Sequence, residues 1–419
     1  MKVTLIPFCL FLLINATDLY GNEVFKNEIS EQNIRTVLFH KEGNPKSVPA
    51  IRLNSDEQIT LRFDVMGDDY NTFQYRIVHC DFDWQESDLL RTEYMEGRRN
   101  AYIDNRQSSF NTHIGYEHYR LTLPNRDFRP TRSGNYALIV YKNNDPDDVV
   151  LVRRFFVYQR RSSFTAEVKS PDFGSERMTH QEIEVEIDVD GMNLPDPKNN
   201  IKLMLRQNGR WDNAIKNPEP RQFTGNKLVF DYGEGNTFKA GNEFRQFDLR
   251  SVRATGQNVN RFVLDSVHHA ILYPDPVRGT RSYNKYNDYN GFKLIDMRRK
   301  DNPHVEGDYA MVHFFLEQET PIDEDIYVFG ALTDWELNDQ YSLEFDPERE
   351  GYSGRFLFKQ GFYNYYYVTR SAGHPAVADH TLMEGNHRET SNDYSVYIYS
   401  RQPGDRTHNL IGFRMVTKN

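Results

Sequence analysis

Ile183, Val185, Ile187 and Val189 alternate with Glu182, Glu184, Glu186 and Asp188. A period of two places apolar and polar side chains on opposite faces of an extended strand, one face buried and one solvated. The pattern recurs where Ile59, Leu61, Phe63 and Val65 alternate with Thr60, Arg62 and Asp64, and again at Phe73, Tyr75 and Ile77 after the polar turn Gly67-Asp68-Asp69. Tyr119, Leu121 and Leu123 repeat it until Pro124-Asn125 ends the run, and Tyr136 to Tyr141 form a short apolar stretch suited to a strand covered on both faces. No 3.6-residue period is sustained anywhere. A chain of short alternating strands separated by turn residues must bury each sheet against another, so the expected class is all-β and built from sandwiches. With 419 residues, several such domains are needed. The 28 Phe and 26 Tyr supply the ring surface to fill their cores, although apolar residues make up only 38%.

The turns divide the chain into an N-terminal β-sandwich over 22–162, a middle one over 163–276 and a C-terminal one over 305–419. Strands of the middle unit are expected at Ile201 to Leu205, Leu228 to Phe230, Phe244 to Leu249 and Phe262 to Leu264. Those of the last unit fall at Tyr309 to Leu316, Ile326 to Phe329, Tyr352 to Phe358, Phe362 to Val368 and Tyr394 to Tyr399, with Gly412 to Val416 at a sheet edge. Between them, residues 277–304 are polar and turn-rich. Their length fits a linker or contact loop, and Tyr283, Tyr286 and Tyr289, spaced among Asn and Ser, fit the chemistry of partner-contacting loops.

Lys2 followed by the apolar run Val3 to Ile14 reads as an export signal over 1–21, with cleavage after Ala16 or Gly21. Cys9 lacks the small residues that precede a lipidated cysteine. Removing this segment leaves Cys80 alone, so no intramolecular disulfide is available and the thiol is expected to be buried and inert. The net charge of -10 is the wrong sign for a generic nucleic-acid or anionic-membrane binder, and no internal run is long enough to span a membrane.

Catalytic motifs are missing. Gly233-Glu-Gly235 lacks the third glycine of a dinucleotide loop, and there is no Walker loop, GxSxG elbow or HExxH helix. His79-Cys80 and His268-His269 are neighbours on strands, where adjacent side chains point to opposite faces and cannot share a metal. Asp81-Phe-Asp83 and Asp145-Pro-Asp147-Asp148 read as solvated turns, lacking the rest of a calcium loop. Arg153-Arg154, Arg160-Arg161 and Arg298-Arg299-Lys300 read as strand-edge or linker charges. No catalytic, cofactor or metal residue is therefore assigned. The run Asp81 to Trp84 is expected to be structural, with Phe82 and Trp84 packed inward.

Phe329-Gly-Ala-Leu-Thr-Asp-Trp335 and Gly361-Phe-Tyr-Asn-Tyr-Tyr-Tyr-Val368 resemble the early-set immunoglobulin-like modules that bind glycogen and starch. In those modules a Trp at the position of Trp335 can stack on a sugar. The second Trp is missing here, since Thr369 to His374 contains none, so the resemblance implies the fold more than sugar binding. A broader resemblance runs through His79-Cys-Asp-Phe-Asp-Trp84, Glu93-Tyr-Met-Glu-Gly97, Ser109-Phe-Asn-Thr112, His118-Tyr-Arg-Leu121, Arg129 to Tyr136, Glu384-Gly-Asn-His387, Asn392-Asp-Tyr394, Arg401-Gln-Pro-Gly404 and Leu410-Ile-Gly-Phe413. These segments are similar to the type IX secretion system plug proteins of Bacteroidota. What the resemblance implies is three tandem immunoglobulin-like sandwiches with no catalytic activity and no cofactor. The protein would lie in the periplasm, docked on the outer-membrane translocon barrel and closing it when no cargo passes. The alternative is an exported carbohydrate-binding β-sandwich protein.

Overall fold

The computed structural model describes residues 25–67, 71–171, 174–231, 235–299, 302–371 and 373–418. The export signal, Cys9, Asp68, Asp69, Gly233 and Lys300 lie outside them. Nearly all regular structure is β, with four-residue α-helical turns and short 3-10 turns between strands.

The first sandwich faces one sheet, Ile34–Lys41, Ile59–Met66, Tyr116–Leu123 and Asn105–Ser108, against another. The second sheet runs through Val149–Tyr158, Gly134–Lys142, Phe73–Cys80 and Ala101–Tyr102. Leu61, Phe63, Phe73, Tyr119, Leu138 and Phe155 meet between them, with Phe63 stacked on Tyr119 at 5.1 Å. On Gly134–Lys142 the alternate residues Ala137 and Ile139 face the other way and are equally buried. They are covered by Met204, Tyr397, Tyr399 and Leu410 of the middle sandwich, so the central sheet is buried on both faces.

The middle sandwich is not continuous in sequence. One of its sheets contains Ser163–Lys169, His180–Asp188, Lys227–Phe230 and Gln222–Thr224. The other contains Ile215–Lys216, Ile201–Gln207, Asn392–Ser400 and Asn409–Lys418. Ile201 pairs with Ser400 and Gln207 with Tyr394, so the last two strands of the chain complete a domain begun before residue 170. Tyr394, Val396 and Ile398 point into its core beside Ile183, Val185 and Ile187, while Tyr397 and Tyr399 point back to the first sandwich. Of the acidic face read from the sequence, Glu184 and Glu186 pair with Lys169 and Lys227 across neighbouring strands, but Glu182 is buried and receives the Asn236 side-chain N–H at 3.2 Å.

Everything from about 245 to 379 joins the third unit, an eleven-stranded sheet that curls over its own core. Phe247 lies 5.7 Å from Phe314, and Phe314 lies 5.3 Å from Tyr365, linking its two halves. The tandem boundaries at 163–276 and 305–419 are therefore corrected. Arg245–Asp248 pairs with Phe362 to Tyr365, and His268–Leu272 pairs with Ala310 to His313. Lys293–Ile295, inside the expected 277–304 linker, is itself a strand against Gly361 to Tyr363. The third domain is an insertion in the middle one. Alternation tells which face of a strand is buried but carries no information about which distant strand it pairs with.

The two chain crossings into the insertion lie side by side. Gln181 Nε2 donates to the carbonyls of Arg388 and Thr390, Thr390 Oγ1 donates to the Gly241 carbonyl, and Asn392 Nδ2 donates to the Ala240 carbonyl, all at 2.8–2.9 Å. Truncation after residue 390 should therefore unfold a region remote in sequence. Limited proteolysis is expected to cut within 163–239, and a protease-resistant 163–239 segment in that truncated chain would contradict the nested topology.

Candidate functional site

The outer face of Ile59–Met66, polar in sequence, is not solvated. Asp64 is 1% exposed because the third domain covers it. Lys359 of the third domain, also 1% exposed, donates to Asp64 Oδ2 at 2.6 Å. The Tyr309 hydroxyl donates to the same oxygen at 2.7 Å, and His118 Nδ1 lies 2.7 Å from Oδ1. Lys359 Nζ also donates to the His304 carbonyl at 2.7 Å and lies 3.9 Å from the centre of the Tyr116 ring. The Tyr116 hydroxyl in turn donates to the Gly307 carbonyl at 2.8 Å. Burial pulls the Lys359 ammonium below its ordinary value, and the Asp64 carboxylate opposes that pull. This junction is not legible in the sequence, because Asp64 occupies the polar phase of an ordinary alternating strand.

A second junction joins the first and middle sandwiches around the run from Asp81 to Trp84. Trp84 is fully buried at φ +67°, and Phe82 packs on Tyr399 at 5.0 Å. The Arg154 guanidinium lies 4.5 Å from the ring centres of both Trp84 and Trp211. Burial opposes ionisation of Asp81, yet hydrogen bonds from the His408 side chain and backbone N–H outweigh it and hold the carboxyl well below its ordinary value. Cys80 is buried in the same cluster, and burial pushes its thiol far up, away from reactive thiolate.

Where all three domains meet, Phe39, Arg154, Trp211, Phe292, Lys293 and Trp335 line a cleft of ≈ 130 Å3. Trp335 stands at steep angles to Phe329 and Phe244, 5.5 and 5.9 Å away. A Cβ on Gly291, at φ +81°, would fall 2.1 Å from its ring, so only glycine fits there. Trp211, from the middle domain, lines the same cleft but packs on Trp84 and Phe156. Two arginines, Arg154 and Arg206, lie over the Trp211 ring, which makes the cleft basic as well as aromatic.

The loop carrying Tyr283, Tyr286 and Tyr289 is fastened down. The Tyr283 hydroxyl donates to Glu243 Oε1 at 2.5 Å, and the Tyr286 hydroxyl donates to the Glu243 carbonyl at 3.0 Å. Tyr289 packs against Phe362 at 5.3 Å, with Lys46 Nζ of the first domain 3.8 Å from its ring centre. Asp288 accepts backbone N–H groups from Phe244 and Asn290, but burial dominates and raises its carboxyl to about 7. Beneath the loop, Glu384 is wholly buried, receiving Arg245 Nε at 2.9 Å and Arg278 Nε at 2.7 Å. Arg245 also reaches Asp275, which accepts the hydroxyls of Tyr365 and Tyr367. The three tyrosines are all half-buried, so the loop presents ring edges on a fixed frame.

This architecture defines a multidomain all-β protein whose domains are fused through buried polar junctions. Residues 34–159 match the family model described as the type 9 secretion system plug protein 1st domain, a span that coincides with the first sandwich. A crystal structure of a hypothetical protein from Parabacteroides merdae ATCC 43184 superposes with a TM-score of 0.89 at 31% identity, covering 94% of this chain and 99% of that one. No curated protein matches the chain. The chain belongs to the type 9 secretion system plug family.

The two junctions generate separate expectations. Lys359→Met leaves Asp64 buried without its cation and should cost about 3–5 kcal/mol. Adding Asp64→Asn, which removes the second charge and keeps an acceptor, should recover part of that loss in the urea midpoint. Trp84→Ala should destabilise by about 3–5 kcal/mol through the cavity it opens. Cys80→Ala should cost far less in the same melts, and a comparable cost would show that Cys80 matters beyond its volume.

Proposed function

We propose that this protein is a non-enzymatic periplasmic plug that docks on the periplasmic side of the type 9 secretion translocon barrel and closes its channel when no cargo is passing. The observation carrying this reading is the family match over the first sandwich. The apolar N-terminal segment supports export, and no helix among the described residues is long and apolar enough to cross a membrane.

The mechanism is steric. A plug must keep its shape when one face is held by the barrel rim, and the fused junctions supply that stiffness. Reversible release favours a contact of modest area anchored by a few aromatic side chains over a large apolar one. Tyr283, Tyr286 and Tyr289 are the candidate anchors. Tyr289 is the best suited to test, because no hydrogen bond of its hydroxyl is found among the described residues.

A strain lacking the protein should admit bulky antibiotics that the parent excludes, while still secreting in part. Barrel subunits should copurify with the protein from solubilised outer membranes, and Tyr289→Ala should reduce that recovery while the variant stays folded at the assay temperature. A deletion strain as impermeable as its parent, with no barrel copurifying, would overturn the plug reading.

A further inference from the structure

The seam between the first and third domains contains a second polar cluster. His113 lies on the turn between the strands Asn105–Ser108 and Tyr116–Leu123 of the first domain. Asp308 immediately precedes the strand Tyr309–Glu317, and His268 opens the strand His268–Leu272, both in the third domain. The Asp308 carboxylate is buried and held in orientation by backbone N–H groups. The His113 N–H reaches both oxygens at 3.1 Å, and the Tyr309 N–H donates to Oδ1 at 2.9 Å.

This orientation leaves Oδ2 2.8 Å from His113 Nδ1 and 3.7 Å from His268 Nε2. One ligand atom from each of the three side chains lies within 4.8 Å of the others. His268 is only 7% exposed, yet no hydrogen bond of its imidazole is found among the described residues. Its 3.7 Å separation from Asp308 is too long for a hydrogen bond. Ligands of one tetrahedral zinc ion, at the usual bond lengths, stand about 3.3 Å apart. The observed separations bracket that value, so small side-chain movements bring all three donors onto one ion.

We propose that His113, His268 and Asp308 bind a single divalent zinc ion that bridges the first and third domains. Two imidazole nitrogens and one carboxylate oxygen suit a borderline-soft cation, whereas calcium and magnesium require more oxygen donors. Three protein ligands leave a fourth position for water. Arg250, Arg253, Arg298, Arg299 and Glu306 line the same depression, and of these Arg250 and Arg298 are paired with Asp248. Adjacent His268 and His269 do diverge: His269 Nδ1 lies 2.8 Å from His313 Nε2 instead. The partners of His268 come from remote parts of the chain. The site would act as an inter-domain staple beside the Asp64–Lys359 pair, and it does not rest on the plug reading.

The test uses the untagged protein, stripped with chelator and dialysed to equilibrium against zinc. One zinc per chain is expected. His113→Ala and His268→Ala should each weaken binding by more than the roughly 10–100-fold that follows loss of an outer-shell partner. His113 is largely accessible, with a side chain 44% exposed, so its variant should retain the parent far-UV circular dichroism. Cobalt should give a tetrahedral visible spectrum in the parent that is lost in His113→Ala. The double variant His269→Ala/His313→Ala, at the neighbouring histidine pair, should bind zinc as the parent does. Absence of zinc from the parent, zinc binding that survives both site substitutions, or binding lost only in the His269/His313 variant would each overturn the proposal.

Discussion

The Asp64 carboxylate is the interaction on which the arrangement of the first and third domains depends. A carboxylate removed from water is tolerated only when its lone pairs are met by cations or hydrogen-bond donors. Lys359, Tyr309 and His118 meet them here, two from the third domain and one from the first. Sliding or separating the domains would leave Asp64 and Lys359 buried without each other or would have to readmit water to both. The pair need not add much net stability to enforce one orientation, because its alternatives are costly.

Topology tightens the same constraint. The third domain enters and leaves the middle one through two adjacent strands of chain, stitched by Gln181, Thr390 and Asn392. Two connections hinder rotation in a way that one linker cannot. The middle domain in turn presents Tyr397 and Tyr399 to the back of the first domain's central sheet, with Trp84, Arg154 and Trp211 filling the edge of that contact. Each pair of domains is thus joined by its own packed or charge-linked surface. A body held in this way resists deformation, as the proposed steric role requires.

The tyrosine loop shows the same economy of freedom. Glu384, wholly enclosed, is neutralised by Arg245 and Arg278, and Arg278 also donates to the Tyr286 hydroxyl at 2.7 Å. The loop surface is therefore set by an ionic network beneath it. Rings held in advance would lose little conformational entropy in a contact, which is what the docking role proposed for this loop requires.

The sequence by itself determined the class of structure: alternation at Ile59–Val65 and Ile183–Val189 fixes strands, and the run Tyr136 to Tyr141 marks one buried on both sides. It also carried the family resemblance, including the segment in which Glu384 lies. It left Asp64 indistinguishable from a solvated strand residue, Glu182 on a supposed acidic face, and Lys293–Ile295 in a linker. Only the tertiary structure decided that Asn392–Ser400 pairs with Ile201–Gln207, that the third domain interrupts the second, and that Trp211 joins Trp335 at one cleft. The reason is physical. Burial of one strand face is a local property written in residue spacing, whereas the choice of partner strand and the covering of a polar face depend on surfaces brought together from hundreds of residues away.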